Sequence, residues 1–358
     1  MALSIPLVWS DTHRRHQPGG EIWVGVRTDG TEVAARVDTI RTTLEAAGAE
    51  VVDAVAHDDA CLEAVHEGAL LDFLRHAWRN WEAAGLPDDP GQDRVVPYIF
   101  PHPALVRGLE PLVPAATWAR TGSFCFDTMT LIGPGTWEAA RAAADVALTA
   151  ADLVTKGRRV AYACCRPPGH HVTRSAYGGS CYLNNAAIAA QRLRELGFAR
   201  VAIVDIDAHH GNGAQEIFWE RADVFTGSVH VDPATGWFPH FLGAASERGT
   251  GEGRGANLNL PLPPGTGDAG WARHVAELVR AACNNGAEAF VLALGVDAAA
   301  ADPESPLQVT ADGYREAGRI VGSAGLPIVV VQEGGYDLAS VGKLVLATLE
   351  GIEEGAAP

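Results

Sequence analysis

Residues 205–213, with the sequence DIDAHHGNG, combine carboxylates and imidazoles in one short stretch. They follow the apolar run 201–204, which is typical of a buried parallel strand that delivers polar groups at its carboxyl end. Asp205, Asp207 and His209 alternate along the chain, and in an extended conformation side chains two positions apart point the same way. They could therefore converge on a divalent metal ion. The alternative is a solvated acidic turn that caps the following helix.

Three further predicted strand ends carry unusual polar residues. The stretch RPPGHH at 166–171 follows the apolar run 160–164, Asp297 follows 289–294, and the stretch QEGGY at 332–336 follows 328–331. Open parallel sheets bind their ligands at the carboxyl ends of the strands. Four such ends in one chain therefore indicate one shared pocket.

Asp207, His209 and Asp297 would make a metal site of two carboxylates and one imidazole. Three protein ligands with an open position are typical of catalytic rather than structural zinc, where bound water has a pKa of roughly 7. The candidate ligands include no cysteine, so Fe²⁺ or Mn²⁺ could bind as well. In the alternative interpretation, Asp297 only caps the helix that follows it.

His170 and His171 are neighbouring histidines, and imidazole exchanges protons near neutral pH. Each needs an acceptor that orients its second nitrogen, and Asp205 and Asn212 are the candidates. An ionised aspartate would favour an imidazolium, whereas a neutral amide would leave its partner free to exchange a proton. The alternative is a pair of structural histidines with satisfied hydrogen bonds.

Tyr336 follows two glycines, which permit close backbone approach. Its phenol could stabilise an oxyanion that develops on a carbonyl at the metal, and such a donor is worth about 2.7–4 kcal/mol. A tyrosine at a strand end is more often a packing residue when taken alone. The neighbouring motifs favour the catalytic interpretation.

Regular alternation of helices and strands would bring these ends together. From residue 136 onward, apolar periodicity predicts helices at 136–157, 184–197, 271–284 and 310–325, and strands at 160–164, 201–204, 224–229, 289–294 and 328–331. Right-handed crossovers between such strands give an α/β fold with a central, mostly parallel sheet and helices on both faces.

The first 122 residues are less regular. Segments 5–9, 22–26 and 50–55 are strand-like, and helical spacing covers 37–47 and 61–84. Residues 85–122 carry many prolines with little periodicity, and a loop this long is usually a lid, a binding loop or a linker. Too few strands precede it for a separate α/β domain. We therefore expect one catalytic domain over residues 1–358, with the loop as a lid or dimer contact.

The composition limits the classes of partner. The chain has 358 residues, of which 47% are hydrophobic, and a net charge of −17, which argues against binding to nucleic acid or to anionic membranes. We find neither a secretory leader nor an apolar run of the roughly 18–20 residues that span a bilayer, so we expect a cytoplasmic protein. The six cysteines show no C-x-x-C spacing, which argues against a structural zinc cluster or a disulfide framework.

Together these motifs resemble those of the arginase/deacetylase superfamily, specifically the histone-deacetylase-like amidohydrolases. The matching stretches are RPPGHH at 166–171, GSCYLNNAA at 179–187, DIDAHHGNG at 205–213, NLPLP at 259–263, GVD at 295–297 and EGGY at 333–336. The likeness runs from about residue 60 to the end. PGTWEAA at 134–140 and FPHFLG at 238–243 resemble the bacterial acetylpolyamine amidohydrolases. The proline-rich loop resembles the insertion that closes their tunnel and pairs two subunits.

The resemblance implies the arginase/deacetylase fold, a homodimer, and zinc-dependent hydrolysis of an acyl amide to a carboxylate and an amine. It implies that His171 is the general base and acid, His170 is its electrostatic companion, and Tyr336 polarises the carbonyl. The zinc ligands would be Asp207, His209 and Asp297. A structural potassium ion would be held by the side chains of Asp205 and Ser228 and by the main-chain oxygens of Asp207, His209 and Val229.

Departures from the family pattern bear on the substrate. Ser180 stands where the family usually has an aromatic residue in the tunnel wall, so this wall should be thinner and more polar. The acidic residues that receive distal ammonium groups in the polyamine enzymes align with Trp118 and Met129, and nearby Asp127 or Glu110 could substitute for them. We expect the substrate to contact Gly179, Ser180, Phe238, Trp118 and Met129.

The sequence favours two substrate classes equally: a small N-acetylated amine or polyamine, and another small amide of biosynthetic or xenobiotic origin. A protein acetyl-lysine is less favoured if the proline-rich loop narrows the entrance. A non-catalytic binding protein on this fold would lack a ligand or Tyr336, and none is missing. An arginase-like hydrolase would need a second metal, whose extra ligands are not evident.

Overall fold

A computed structural model describes residues 2–110 and 112–356. In chain order its strands are β1 Leu7–Trp9, β2 Glu21–Trp23, β3 Val26–Thr28, β4 Val51–Asp53, β5 Val160–Ala163, β6 Val201–Asp205, β7 Val224–Val231, β8 Asn257–Leu262, β9 Ala289–Leu294 and β10 Ile328–Gln332. Eight of them form a sheet in the order β4-β1-β5-β10-β9-β6-β7-β8, and all its neighbouring strands are parallel. The predicted α/β fold with a parallel sheet is confirmed.

Side chains of the central strands alternate between two hydrophobic cores. In β6, Val201 and Ile203 pack into one core, and Ala202 and Val204 pack into the other. Because both faces are covered, the whole strand is buried and its sequence is continuously apolar.

Helices cover both faces of the sheet. They are α1 Ala35–Ala46, α2 Ala60–Glu63, α3 Gly68–Ala83, α4 Pro103–Val106, α5 Thr117–Arg120, α6 Thr136–Thr155, α7 Asn185–Glu195, α8 Asn212–Ile217, α9 Asp268–Asn284, α10 Ala311–Gly322 and α11 Val341–Ala356. Helices α3, α6 and α7 contribute to the first core, and α1, α9, α10 and α11 contribute to the second. None of the described helices has the length and apolar character needed to cross a membrane.

The helix predicted over residues 61–84 is interrupted near His66, which separates α2 from α3. The His66 ring is buried, with Nδ1 2.9 Å from the Thr173 carbonyl oxygen. Its Nε2 accepts a hydrogen bond from the Asn184 N–H at 2.9 Å. These partners are remote in sequence, so local periodicity could not predict the break.

Residues 22–26, predicted as one strand, contain the end of β2, the start of β3 and the turn between them. Trp23 pairs with Val26, which leaves Val24 and Gly25 as a two-residue turn with φ values of 50° and 78°. Positive φ at both positions gives the backbone twist that tight hairpins prefer. The single-strand prediction was wrong here.

The strand β8 and the helix α11 were not predicted. Polar residues interrupt the apolar pattern of β8, but their side chains are satisfied in the interior. Asn257 and Asn259 are buried and donate to Gln215 Oε1 at 3.0 and 2.9 Å. Partners outside the strand therefore compensate for its polar residues.

The described part of the proline-rich segment 85–122 includes the short helices α4 and α5. Many of its apolar side chains are exposed to solvent: Tyr98, Ile99, Phe100, Leu105, Leu109, Leu112, Val113 and Trp118. These side chains come from one short segment, and exposed apolar residues grouped in this way often mark a contact surface, unlike single ones scattered over a protein.

The packing of α10 on α11 requires glycine. A Cβ atom on Gly318 would lie 2.1 Å from the Thr348 carbonyl oxygen, and one on Gly351 would lie 2.0 Å from that of Arg315. We expect Gly318→Ala to lower the free energy of unfolding by about 1–3 kcal/mol, because overpacking forces the helices apart. Urea denaturation would measure this change.

Gly68→Ala is the matched control. Gly68 begins α3, and a Cβ atom there would meet no atom within 4 Å. This substitution should raise the free energy of unfolding by about 0.4–1 kcal/mol, because it restricts the unfolded chain. Equal stability of Gly318→Ala and the wild type would contradict the close-packing argument.

Candidate active site

Four loops meet at the carboxyl edge of the sheet. The strands β5, β10, β9 and β6 are consecutive neighbours, so the loops that follow them emerge side by side. These loops carry the RPPGHH, EGGY, GVD and DIDAHHGNG stretches. Their gathering at one edge thus follows from the strand order.

Asp207, His209 and Asp297 lie together at this edge, with one possible ligand atom of each within 4.8 Å of the others. His209 Nδ1 is 3.0 Å from Asp297 Oδ2 and 3.2 Å from Asp207 Oδ1. Both aspartates are fully buried. These are the three residues that the sequence predicts as metal ligands.

Main-chain N–H groups hold the remaining carboxylate oxygens. The Gly334 N–H donates to Asp207 Oδ2, and the Ala208 N–H donates to Asp297 Oδ1, both at 2.8 Å. A Cβ atom on Gly334 would lie 2.5 Å from Asp297 Oδ2. Glycine is therefore required at position 334. Because the main chain binds one oxygen of each carboxylate, the other oxygen of each faces His209.

The two buried carboxylates need a compensating positive charge. Burial and the negative charge of Asp207 raise the pKa of Asp297 to about 7. An unpaired charge in an apolar interior costs several kcal/mol or more, so a divalent cation among these atoms would stabilise the site. Two carboxylates and one imidazole fit Zn²⁺, and they also fit Fe²⁺ or Mn²⁺.

His170 and His171 lie with ring centroids 4.0 Å apart but have different partners. Nδ1 of His170 is 2.9 Å from Asp205 Oδ2, and Nδ1 of His171 is 2.6 Å from Asn212 Oδ1. Burial lowers both pKa values, but for His170 the charges of Asp207 and Asp205 outweigh it and raise the pKa to about 10. For His171, burial and the charge of His170 both act downward, and its pKa lies well below the usual value.

Asp205 and Ser228, expected to bind potassium, occupy paired positions in β6 and β7. Both residues are buried, and Val229 follows in β7. Ser228 Oγ lies 2.8 Å from His230 Nδ1. Burial raises the pKa of Asp205, so a cation beside this carboxylate would stabilise its ionised form. The donor set is therefore compatible with a monovalent cation.

Tyr336 lines the same pocket as His171 and His209. The main chain at Tyr336 is held by the Asp302 carboxylate, which accepts its N–H at 2.7 Å. The Arg36 guanidinium lies over the phenol ring, 4.6 Å from the ring centroid. Contacts from two other segments therefore fix this residue.

A buried charge cluster that was not predicted supports the Tyr336 loop. Arg36 donates through Nε to the Gly335 carbonyl at 2.5 Å and through Nη2 to the Glu333 carbonyl at 2.6 Å. Glu32 Oε1 accepts from Arg36 at 2.9 Å and from Arg166 at 2.8 Å. The four-residue spacing of Glu32 and Arg36 could have suggested an ion pair, but nothing local indicates its position under the site.

The pocket above the metal cluster is lined by Glu21, Thr31, Met129, His171, Gly179, Ser180, His209, Phe238, Glu304 and Tyr336. Four of the five residues expected to contact substrate are in this set: Gly179, Ser180, Phe238 and Met129. Trp118 is not in this set, and 46% of its surface is exposed. The structure therefore separates Trp118 from the other four.

Phe126 and Asp127 shape the pocket wall next to Ser180. The Phe126 ring is stacked with Phe238 at a centroid distance of 6.2 Å. Asp127 Oδ2 accepts from the Gly179 N–H at 2.6 Å, and Oδ1 accepts from the Met129 and Thr130 N–H groups at 3.0 and 2.9 Å. Asp127 therefore positions the loop, and its carboxylate is already occupied by these donors.

Two carboxylates in the pocket were not predicted. Glu21 is the first residue of β2, and Glu304 lies in the loop after β9. Thr31 Oγ donates to Glu304 Oε1 at 2.8 Å. Neither glutamate belongs to a motif, so only the folded chain reveals them.

The sequence is similar to deacetylases and acetylpolyamine amidohydrolases. Residues 31–352 match the sequence model of the histone deacetylase domain. The chain is 39% identical over 347 residues to the acetylpolyamine amidohydrolase of Mycoplana ramosa, covering 97% of this chain and 99% of that protein. It is 39% identical over 350 residues to acetylpolyamine amidohydrolase 1 of Pseudomonas aeruginosa, covering 98% and 99%.

The fold is similar to solved structures of the same kind. The acetylpolyamine aminohydrolase from Burkholderia pseudomallei superposes with a TM-score of 0.92 and 38% identity, covering 98% of this chain and 99% of that one. The HDA15 HD domain superposes with a TM-score of 0.76 and 25% identity, covering 98% and 91%.

Asp297→Ala tests whether Asp207, His209 and Asp297 bind a metal ion. Removing one of three ligands should weaken zinc binding by more than the roughly 10- to 100-fold that follows loss of an outer hydrogen-bond partner. Equilibrium dialysis of metal-free protein against Zn²⁺ would measure the dissociation constant. Asp312→Ala, at an exposed position in α10, is the control. Wild-type affinity in Asp297→Ala would exclude Asp297 as a ligand.

Proposed function

Because this chain belongs to the histone deacetylase domain family and is a deacetylase-type amidohydrolase, we propose that it hydrolyses the acyl amide of a small amine or polyamine with zinc. The convergence of Asp207, His209 and Asp297 beside two differently polarised histidines is the observation that carries this proposal. Residues 1–358 would act as one catalytic domain.

A Zn²⁺ or Fe²⁺ ion bound by the three side chains would supply Lewis acidity, which would make water a usable nucleophile near neutral pH. Asp207, His209 and Asp297 would hold this ion. Potassium beside Asp205 and Ser228, with main-chain oxygens of Asp207, His209 and Val229, would offset the buried carboxylate charge.

His171 would take the proton from the attacking water at Nε2. The Asn212 amide donates through Nδ2 to the His171 carbonyl at 3.1 Å, which turns its Oδ1 toward the imidazole ring. This oxygen would accept a hydrogen bond from the Nδ1–H group of His171. Nε2 is then left unprotonated and available as a base. The same nitrogen could return the proton to the departing amine.

His170 would remain an imidazolium, because carboxylates face both of its ring nitrogens: Nδ1 is 2.9 Å from Asp205 Oδ2 and Nε2 is 3.8 Å from Asp207 Oδ1. The positive charge of His170 would stabilise the negative charge that develops on the reacting amide as water attacks it. Tyr336 would donate its hydroxyl proton in a hydrogen bond to the amide oxygen, and the main-chain contacts of Arg36 and Asp302 would keep it in place.

The substrate class rests on the relatives named acetylpolyamine amidohydrolases and on the carboxylates in the pocket. Another small amide, or acetyl-lysine in a protein, is the alternative. We also propose a cytoplasmic homodimer in which the apolar surface of segment 85–122 meets a second copy or closes over the pocket.

A substrate screen tests the function. The zinc-loaded protein would be assayed with acetylated polyamines, acetyl-lysine peptides and neutral small amides, and amine release would be measured. We expect turnover of small acyl amides and lower kcat/KM for the peptides. Turnover of none of them would sink the amidohydrolase proposal.

Tyr336→Phe tests the proposed role of the phenol. Loss of one oxyanion donor should lower kcat by about 10²- to 10³-fold, while zinc content stays at the wild-type level. Amine release and metal analysis on the same preparation would separate the two effects. Tyr98→Phe removes a hydroxyl from an exposed tyrosine and serves as the control. A wild-type kcat in Tyr336→Phe would remove this residue from the mechanism.

A further inference from the structure

The wall of the active-site pocket beside His171 contains a turn in which two consecutive residues have positive φ. Gly179 and Ser180 both have φ values of 60°. Glycine adopts this conformation readily, but a residue with a side chain adopts it mainly where surrounding contacts enforce it. The conformation of this turn is therefore set by its neighbours as much as by its own sequence.

Two side chains from another segment bind both N–H groups of the turn. Asp127 Oδ2 accepts the Gly179 N–H at 2.6 Å, and Thr130 Oγ1 accepts the Ser180 N–H at 2.8 Å. The Thr130 hydroxyl donates in turn to Asp127 Oδ2 at 3.1 Å. Asp127 and Thr130 therefore act on the turn as one hydrogen-bonded pair.

Position 127 requires a side chain in which both polar atoms are acceptors. Asp127 Oδ1 accepts the N–H groups of Met129 and Thr130, while Oδ2 accepts the Gly179 N–H and the Thr130 hydroxyl. An asparagine would direct an NH₂ group, which cannot accept a hydrogen bond, toward one of these two sets of donors. The carboxylate is thus bound to the protein itself and supports the turn.

The turn packs against the edge of the His171 ring that carries the reactive nitrogen. A Cβ atom on Gly179 would lie 2.3 Å from His171 Cδ2, so the main chain of the turn lies directly against this carbon. Cδ2 is bonded to Nε2, the nitrogen that would exchange the proton. On the other side of the ring, Nδ1 is 2.6 Å from Asn212 Oδ1. Contacts on both sides therefore restrict rotation of the imidazole about its Cβ–Cγ bond.

We propose that Asp127 and Thr130 are positioning residues for proton transfer, which fix the His171 ring through the main chain of Gly179 and Ser180. The inference rests on the proposed amidohydrolase function. Without these hydrogen bonds the turn would relax from its positive φ values, and the ring would lose one of the contacts that restrict its rotation. Nε2 would then spend less time in the orientation for proton transfer, which requires hydrogen-bond geometry.

Kinetics of Asp127→Asn and Thr130→Val test this role, with N-acetylcadaverine as the probe substrate of the zinc-loaded protein. We expect kcat to fall roughly 10- to 100-fold in each variant, as for a small misplacement of a catalytic group, and to fall by more than KM changes. Zinc content should stay at the wild-type level. Thr130→Ser keeps the hydroxyl and should keep kcat close to the wild-type value.

The matched controls are Asp312→Asn in α10 and Thr42→Val in α1, both at exposed positions. Both should keep the wild-type kcat. A wild-type kcat in Asp127→Asn and Thr130→Val would overturn the inference, and so would a loss confined to KM or to zinc content. Circular dichroism would verify that each variant is folded.

A measurement without turnover separates this inference from the proposed function. In zinc-loaded protein with isotope-labelled histidine, nuclear magnetic resonance follows exchange of the His171 Nδ1–H proton with water, assigned by its absence in His171→Ala. Local opening of the ring exposes this proton, so exchange should be about tenfold faster or more in Asp127→Asn and Thr130→Val than in the wild type and Thr130→Ser. Equal exchange rates would overturn the inference even in an active amidohydrolase. Faster exchange would support it even if no amide is hydrolysed.

Discussion

The structure depends on the burial of several carboxylates at one edge of a parallel sheet. Asp205, Asp207, Asp297, Glu32 and Glu333 are each at most 3% exposed. A buried charge is tolerated only where partners surround it, because desolvation otherwise costs several kcal/mol. The partners found for these residues are loop N–H groups, histidines and arginines. The same contacts that make the charges tolerable also fix the loops of the site.

Glu333 shows how one carboxylate joins separate loops. Its Oε2 accepts the N–H groups of Gly169 and His170 at 2.7 and 3.0 Å. Because Glu333 precedes the loop that carries Tyr336, these bonds hold the histidine loop and the tyrosine loop in register. Neighbouring strands bring the two loops close, and the carboxylate sets their relative position.

The site residues that could be predicted from the sequence are those located directly after predicted strands. Asp207, His209 and Asp297 could be proposed as a group because polar residues directly after apolar strands must meet at one edge of a parallel sheet. The partners of His170 and His171 could be proposed by chemical type. Glu21 and Glu304 could not, because Glu21 lies in the small β2–β3 hairpin and Glu304 lies in a loop, and the positions of both segments depend on the packing of the whole chain. In the fold, too, features set by local sequence could be predicted and features set by long-range contacts could not.

Local patterns gave the central strands and most helices, since apolar periodicity records which faces are buried. The interruption at His66 arises instead from hydrogen bonds to residues more than a hundred positions away. The strand β8 was missed because partners outside the strand satisfy its asparagines. Both failures come from tertiary contacts that replace a local preference.

The Arg36 contacts with Gly335 and Glu333 span 299 and 297 positions along the chain. During synthesis, the guanidinium of α1 must therefore wait for nearly the entire polypeptide before it can meet these carbonyl groups. The phenol of Tyr336 emerges just after them. An incomplete nascent chain would thus contain Asp207, His209 and Asp297 without Tyr336, so the pocket would have its full lining only near the end of translation.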